Sequence, residues 1–188
     1  MKLTSSASDA FFYQDYSGKP PIDGVELVEL RRFHDDGGAI TELGRLASGM
    51  HGQLEGFEVK QFNYSEVEPG AIKAYHMHQR QTDVWYVPPR DKLLLVLHDC
   101  RKGSTTEGVT MRFVLGDGRG RLVRIPPGVA HGCGNIGHER AQILYFVDVQ
   151  FSAEPETTDE GQGKEQEEFL HPLKVANSSR PDKPPLLR

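Results

Sequence analysis

Short runs of apolar and β-branched residues, each followed by glycine, proline or aspartate, recur along the middle of this chain. Most of the runs are too short for a helix, and several alternate apolar with polar residues, as strands with one buried face do. No stretch between them has the 3.6-residue periodicity of an amphipathic helix. The pattern predicts an all-β sandwich or barrel with little helix. Its strands are expected at 24–33, 57–64, 71–78, 84–87, 92–98, 110–115, 122–125 and 141–151.

Composition divides the chain of 188 residues into one domain with two extensions. Residues 24–151 contain all of the runs above and are expected to form the barrel. Residues 1–23 are mostly polar or aromatic and are expected to form an N-terminal arm. Residues 152–188 are first acidic and then rich in proline, with too few apolar residues to offset the entropy cost of ordering. They are expected to form a C-terminal tail.

The charge of the chain limits the partners that it can bind. With 22 lysines and arginines against 27 acidic residues, the net charge is -5 at pH 7, whereas nucleic acids and anionic membranes require a basic face. No run approaches the roughly 20 apolar residues of a membrane span, and the N-terminus lacks the apolar core of a signal peptide. Cys100 and Cys133 form no disulfide framework. We therefore expect a cytoplasmic protein that binds neither nucleic acid nor membrane.

Two motifs place histidines on the predicted strands. His76 and His78 are two residues apart on one strand, so their side chains face the same side. His131 follows a strand and a tight Pro-Pro-Gly turn. With Asp83, these three histidines could hold one divalent metal ion such as Fe, Mn, Ni or Zn and leave positions open for substrate. The alternative is a metal-free pocket in which the histidines act as bases and hydrogen-bond donors, and spacing alone does not decide between them.

The two motifs resemble the paired signature motifs of the cupin superfamily. The second motif matches the pattern of glycine, five residues, Pro-x-Gly, two residues, histidine, three residues and asparagine at every fixed position of 120–135. The first fits glycine, five residues, His-x-His, four residues and an acid over 70–83, with Asp83 where cupins usually carry glutamate and Arg90 in place of the closing glycine. The resemblance implies a cupin fold, a jelly-roll barrel also called a double-stranded β-helix.

Within that superfamily, the chain resembles the dTDP-4-dehydrorhamnose 3,5-epimerase family of nucleotide-sugar cupins. The match rests on the opening strand with its Asp35–Gly38 turn, on Gln61-Phe-Asn63-Tyr-Ser65, on Ile125–Gly132, and on Leu144-Tyr145. It implies a metal-free isomerase of deoxysugar biosynthesis that epimerises a dTDP-4-keto-6-deoxy sugar. In that reaction a histidine removes the acidic proton beside the ketone, a cation or hydrogen bond stabilises the enolate oxygen, and a tyrosine returns a proton to the other face.

The resemblance also assigns roles to single residues. His76 would be the base and Tyr145 the acid, while Lys73 would replace the arginine that binds the phosphates. The other substrate-binding residues implied are Gln61, Asn63, His78 and His131. The chain departs from the family at three further positions. A second phosphate-binding arginine is replaced by Gly37, the lysine that polarises the ketone falls near Thr82–Asp83, and the aspartate that orients the histidine has only Asp182 as a candidate.

Three other interpretations remain open at this stage. The His-x-His pair also resembles the dTDP-sugar 3,4-ketoisomerases, which move a ketone along the same kind of sugar. A metal-dependent cupin enzyme would use His76, His78, Asp83 and His131 as its ligand set. The missing arginine and lysine are also compatible with a non-catalytic sugar-binding cupin. Finally, the resemblance implies a homodimer built by strand exchange, to which the N-terminal arm could contribute.

Overall fold

The computed structural model describes residues 22–45, 54, 56–150 and 168–169 of the chain. These residues form strands, turns and irregular segments without a helix, which confirms the predicted all-β class. The strands are β1 (Glu26–Glu29), β2 (Arg32–Asp35), β3 (Gly38–Thr41), β4 (Gln61–Val67), β5 (Ile72–Met77), β6 (Asp83–Tyr86), β7 (Lys92–Asp99), β8 (Thr110–Gly116), β9 (Arg121–Ile125), β10 (Val129–Asn135), β11 (Ala141–Val147) and β12 (Glu168–Phe169).

Two antiparallel sheets of five strands each build the body of the protein. The first has the order β1-β9-β6-β11-β4 and the second the order β12-β5-β10-β7-β8, while β2 and β3 form a separate hairpin. The inner faces of the two sheets share one apolar core, in which Trp85 and Val123 of the first sheet join Leu95 and Leu97 of the second. Apart from the consecutive strands β7 and β8, neighbouring strands in each sheet are not consecutive in the sequence, as in a jelly roll.

The nearly continuous apolar run at 92–98 forms β7, which lies between β10 and β8. Leu93, Leu95 and Leu97 point into the core and are fully buried, whereas Leu94 and Val96 on the other face are half-buried. A run this apolar is typical of a strand buried on both faces. It lies inside the sheet, but only one of its faces is fully covered.

Strand β6 is buried on both faces, and this determines what it brings to the interior. Val84 and Tyr86 pack outward in a second apolar cluster with Leu54, Phe57 and Leu122. The alternate residues of the strand, Asp83 and Trp85, therefore face the space between the two sheets. A carboxylate is placed in this way inside the protein, where it needs polar partners.

Several strand boundaries differ from the sequence prediction. The run at 24–33 forms two strands, because β1 pairs with β9 while β2 leaves the sheet to pair with β3. The run at 57–64 contributes only its second half to β4, and the run at 141–151 is a strand only as far as Val147. Pairing partners, rather than local composition, fix these ends.

Most of the two predicted extensions lies outside the described residues. Of the arm at 1–23, Ile22 and Asp23 are described, and Ile22 is fully buried in the core cluster. Of the tail at 152–188, Glu168 and Phe169 are described, and their backbone pairs with Met77 and His76 of β5 as strand β12. Asp182, the candidate orienting aspartate, lies outside the described residues. The described part of the chain has no helix of the length and apolar character needed to cross a membrane.

Candidate active site

A cavity of about 430 Å³ opens between the two sheets. Both sheets contribute to its wall, and most of the contributing side chains are polar. The lining residues are Gln61, Asn63, Ser65, Lys73, His76, His78, Gln81, Asp83, Trp85, His131, Gly132, Cys133, Ile143, Tyr145 and Val147. Every catalytic, substrate-binding and metal-ligating candidate from the sequence is among them. The structure thus brings all of these candidates together in one place.

One wall of the cavity is formed by the paired strands β5 and β10. His76 and His131 are direct partners across this pair, and an irregularity follows, because Cys133 is paired with Lys73 rather than with Ala74. The extra residue on β5 changes the alternation of its side chains. Lys73, His76 and His78 consequently all face the cavity, and the prediction that the two histidines share one side is confirmed.

The first sheet forms the opposite wall. Gln61, Asn63 and Ser65 project from β4 at alternate positions, and Tyr145 projects from β11. The Gln61 side chain donates a hydrogen bond of 2.8 Å to the Asn63 side-chain oxygen. Because His76 comes from the other sheet, the proposed base and the proposed acid lie on different walls of the same cavity.

Asp83 is the centre of a buried polar cluster at this site and is only 3% exposed. Its carboxylate accepts a hydrogen bond of 2.7 Å from Gln81 Nε2 and one of 3.1 Å from Trp85 Nε1. Two imidazoles approach the same carboxylate, with His78 Nε2 at 3.8 Å from Oδ1 and His131 Nε2 at 3.6 Å from Oδ2. The carboxylate is therefore held by two neutral donors and flanked by two histidines.

His131 has a fixed orientation within this cluster. Its Nδ1 lies 3.3 Å from the carbonyl oxygen of Val129, and since a carbonyl oxygen only accepts, Nδ1 carries the hydrogen. Trp85 packs edge-on against the imidazole at 5.4 Å, and the His76 ring stacks on it at 6.1 Å. Burial lowers the pKa of His131 to about 4, although the charge of Asp83 opposes this shift. Its Nε2 is thus directed towards Asp83 and is unprotonated at neutral pH.

Three of the four predicted metal ligands come within reach of one ion. His78, Asp83 and His131 each offer an atom such that all three atoms lie within 4.8 Å of one another. His76 lines the same cavity but does not belong to this group. Imidazole nitrogen and carboxylate oxygen are suitable ligands for Zn and for Fe, Mn or Ni. The residues present therefore fit a divalent ion, with His76 left outside the ligand set.

Lys73 and Cys133 also face the cavity but differ in chemistry. The Lys73 ammonium is exposed and donates hydrogen bonds of 3.0 Å to Ser65 Oγ and 2.7 Å to the carbonyl oxygen of Glu66. This arrangement leaves a fixed positive charge beside the cavity. The Cys133 thiol is buried, and burial raises its pKa to about 11, so it stays protonated and is a poor nucleophile.

Three cavity residues that hold other cavity side chains by hydrogen bonds were not identified from the sequence. Gln81 and Trp85 hold Asp83, and Ser65 holds Lys73. Trp85 packs edge-on against the His131 ring while its indole donates a hydrogen bond to Asp83. The period-two spacing of Gln81, Asp83 and Trp85 was the available signal, since it places all three on one side of an extended segment.

Comparison with known proteins shows that the chain is similar to one protein family over most of its length. The chain matches the family model described as dTDP-4-dehydrorhamnose 3,5-epimerase over residues 19–162. It is 37% identical over 139 residues to the spore coat polysaccharide biosynthesis protein SpsL of Bacillus subtilis strain 168. The aligned region covers 74% of this chain and 87% of SpsL. The family consists of dTDP-sugar epimerases.

Solved structures agree with this assignment. A dTDP sugar isomerase from Desulfovibrio desulfuricans is 27% identical to this chain and superimposes on it with a TM-score of 0.67. The match covers 84% of this chain and 94% of the isomerase chain. A dTDP-4-dehydrorhamnose 3,5-epimerase from Bacillus anthracis, solved with TDP and pyrophosphate bound, is 26% identical over 72% of this chain and 78% of its own, with a TM-score of 0.61. The cupin fold and the family resemblance predicted from the motifs are confirmed, and the chain belongs to the dTDP-4-dehydrorhamnose 3,5-epimerase family.

Proposed function

We propose that this protein epimerises a dTDP-4-keto-6-deoxy sugar, with His76 as the general base and Tyr145 as the general acid. The observation that carries this proposal is the placement of these two side chains in one cavity, on strands of opposite sheets. A sugar ring held between the two sheets would present one face to His76 and the other to Tyr145. Removal of a proton from one face and its return to the other inverts the carbon.

The proton inventory of the reaction is simple. His76 takes the proton from the carbon next to the ketone, and the electron pair of that bond moves into the ring to form an enolate with its charge on the former ketone oxygen. Tyr145 then gives its phenolic proton to the opposite face of the same carbon. Solvent returns a proton to Tyr145 and removes one from His76, so the enzyme is restored without net consumption of acid or base.

The polar residues of β4 and β5 are proposed to bind the substrate. Gln61, Asn63 and His78 line the cavity and would bind the sugar hydroxyls. Lys73, which is exposed beside the cavity, would bind the diphosphate. The thymidine nucleotide is proposed because the family model and the Bacillus anthracis relative, solved with TDP bound, concern thymidine-linked sugars.

Deuterium exchange tests the proposal directly. The enzyme is incubated with dTDP-4-keto-6-deoxyglucose in D₂O, and both deuterium content and sugar configuration are followed by NMR. We expect exchange and inversion in the wild type, neither in His76→Gln, and exchange without inversion in Tyr145→Phe, since the base could still return deuterium to the original face. Absence of exchange at high enzyme concentration in the wild type would refute the proposed activity, and equal loss of both signals in Tyr145→Phe would refute its role as the acid.

A 3,4-ketoisomerase is the second candidate function. It is favoured by the position of His78, which is buried two residues from His76 and lines the same cavity. A second histidine is what transfer of a proton between neighbouring carbons would use. The same NMR experiment separates the two functions, because the ketone stays at its carbon in an epimerase and moves to the next carbon in a ketoisomerase.

The proposed assembly is a homodimer. Two aromatic side chains of the edge strand β4, Phe62 and Tyr64, are 71% and 57% exposed. Exposed aromatic groups on an edge strand are uncommon in a protein that acts alone, because a free edge invites association. A second copy of the chain covering this face would remove both groups from water.

A further inference from the structure

We propose that Arg101, held by Asp99, is a positioning residue for the candidate active site. It fixes the turn that precedes His131 and, through that turn, the backbone of His78. Neither Arg101 nor Asp99 is among the residues that line the described cavity. Both belong to a group of polar side chains at the end of β7 and in the turn after it, called here the Arg101 clasp. Its members are Asp99, Arg101, Ser104 and Thr106. The catalytic consequence of the clasp rests on the proposed function, whereas its effect on the geometry of the histidines does not.

The carboxylate of Asp99 anchors the clasp and is only 1% exposed. Arg101 donates to both of its oxygens, from Nε at 2.8 Å and from Nη2 at 2.9 Å, in the two-pronged geometry of strong arginine–carboxylate pairs. The hydroxyls of Ser104 and Thr106 each donate a further bond of 2.7 Å. The bonds from Arg101 above all lower the pKa of Asp99, so the carboxylate is ionised at neutral pH. A buried network with all of these bonds made holds the Arg101 side chain in one orientation.

The stem of Arg101 lies against Gly128, the last residue of the Pro-Pro-Gly turn. Gly128 has a φ of +77°, a conformation that favours glycine. A Cβ atom at this position would lie 3.0 Å from Cδ of Arg101 and closer still to its Cγ. The arginine stem therefore occupies the space that a side chain would need. The backbone N–H of Cys100 also donates a hydrogen bond of 3.1 Å to the Gly128 carbonyl oxygen. Side chain and backbone of the clasp region thus hold the turn together.

Gly128 passes this position on to the histidines of the cavity. Its N–H donates a hydrogen bond of 2.7 Å to the carbonyl oxygen of His78. Strand β10 begins at the next residue, Val129, whose carbonyl oxygen faces Nδ1 of His131 at 3.3 Å. A shift of the turn would therefore move the backbone of His78 and the acceptor that orients His131. The ring of His76, the proposed base, stacks on that of His131 at 6.1 Å and would be affected as well.

The clasp also fastens the segment that leads into β1. Arg101 Nη2 donates a hydrogen bond of 2.7 Å to the carbonyl oxygen of Asp23. The N–H of Asp23 in turn donates one of 3.0 Å to Thr106 Oγ1. Strand β1 pairs with β9, which ends at Ile125 directly before the turn. One arginine therefore holds both the segment that enters the first sheet and the turn that links the two sheets.

NMR of the imidazole rings tests the geometric part of the proposal without substrate. Long-range ¹H–¹⁵N spectra show which ring nitrogen of His131 carries the hydrogen, and they are recorded for the wild type, Arg101→Lys and Arg101→Met. We expect one form with hydrogen on Nδ1 in the wild type and a mixture of both forms in Arg101→Met, with altered shifts for His78 as well. The exposed His138 is the internal control, and its shifts should stay unchanged.

Kinetics test the catalytic part. Arg101→Met should lower kcat for deuterium exchange into the dTDP-4-keto sugar by about 10- to 100-fold, because a displacement of about 1 Å at the reacting groups can cost about 100-fold. Arg101→Lys should lose less, since a lysine keeps the charge beside Asp99 and most of the stem. Lys102→Met, at an exposed position of the same turn, is the matched control and should stay within about twofold of the wild type.

Stability is controlled separately. Rates are measured where urea unfolding curves show each variant to be fully folded. Removal of Arg101 alone leaves a buried charge without its partner. If Arg101→Met does not fold, the double variant with Asp99→Asn takes its place, because it leaves no such charge, and the same results are expected of it.

The outcomes separate this proposal from the proposed function. Unchanged His131 shifts in a folded Arg101→Met or double variant would overturn the positioning role, whatever the activity of that variant. Altered shifts with an unchanged kcat would overturn its catalytic consequence. Altered shifts in the variant, together with no exchange into any dTDP-4-keto sugar by the wild type, would refute the proposed function and leave the effect of Arg101 on the histidines standing.

Discussion

Lys73 carries the fixed positive charge of the cavity, and its neighbours hold it in place. Its ammonium group bonds to the hydroxyl of Ser65 and to the backbone oxygen of Glu66, both on or at β4. Lys73 itself belongs to β5, so the contact joins the edge regions of two different sheets across the cavity. A cation fixed in this way suits a diphosphate, which binds through charge-assisted hydrogen bonds.

Replacement of Lys73 by methionine should therefore affect binding more than turnover. A hydrogen bond to a charged group contributes about 1.5–3 kcal/mol, so we expect KM for the dTDP sugar to rise by about 10- to 100-fold. The value of kcat should stay within about threefold, because the phosphates lie away from the reacting carbon. Steady-state kinetics of Lys73→Met and Lys73→Arg make the comparison, with the arginine variant expected close to the wild type. A loss confined to kcat would contradict this role.

At this scale the sequence predicted which residues meet but not how they contact one another. His76 and His78 had to share a side because strand side chains alternate with period two. The inward position of Asp83 was left open by the sequence, and it follows from β6 being covered on both faces. The bonds from Gln81 and Trp85 to Asp83 depend on side-chain rotamers inside the folded core, for which the sequence carries no direct signal.

The pairing of β5 with β10 determines the shape of one wall of the cavity. At Gly132, directly after His131, a Cβ atom would lie 2.6 Å from the Cβ of Ala74 and 3.2 Å from the carbonyl oxygen of Lys73. These distances are shorter than van der Waals contact. The glycine after the histidine is thus required by the close approach of β5, and it keeps Lys73 and His76 in their positions.

Gly132→Ala should push β5 away from β10. Overpacking of this kind costs about 1–3 kcal/mol, and we expect the free energy of unfolding in urea to fall by that amount. Exchange activity should fall as well, since His76 moves with the strand. Gly134→Ala, two residues along the same strand, is the matched control, because its nearest neighbour is Ile72 Cγ1 at an ordinary 3.6 Å. Equal stability of the two variants would show that the close approach is unimportant.

Local composition predicted the position of β5 to within one residue at each end, 71–78 against Ile72–Met77. It did not predict the irregular register between His131 and Cys133. The register of a strand depends on its partner, and β10 lies more than fifty residues further along the chain. The hairpin of β2 and β3 was missed for a related reason, since the run at 24–33 gives no sign of where it leaves the sheet.

The outer surface of the first sheet bears on the assembly of the molecule. Phe62 and Tyr64 stand opposite Phe146 and Leu144 on the adjacent strand β11. Phe146 and Leu144 pack against the second apolar cluster, whereas the two β4 aromatics extend past it into solvent. The apolar surface of the sheet therefore continues to its exposed edge, where a second copy could bind.

Phe62→Asp should convert the proposed homodimer to a monomer, because a charge in the centre of an apolar interface is left without water or a partner. The molar mass in solution, measured by light scattering after gel filtration, tests this expectation. Ile72→Asp is the control, since Ile72 is 78% exposed but belongs to the other sheet. A wild type that runs as a monomer, or a dimer lost only in Ile72→Asp, would contradict the proposed interface.

For the whole molecule, the pattern of apolar runs predicted the fold class. The arrangement of the strands could be inferred only from the two histidine motifs. Frequent turns between short apolar runs are enough to indicate an all-β protein. The jelly-roll arrangement of the strands depends on contacts between distant segments, and only the resemblance to cupins implied it. Ile22 shows where composition fails: assigned to a polar arm, it is fully buried in the core.

The two-residue strand β12 pairs with β5 along the edge that β10 leaves uncovered, and its Phe169 stands opposite His76. The strand that carries the proposed base is thus an interior strand only because a segment from far downstream borders it. Without that border, β5 would present a row of unpaired backbone groups. A truncation that removes Glu168 and Phe169 would consequently expose the backbone of the strand that carries His76, so a loss of activity in such a variant would not by itself locate a catalytic residue in the removed segment.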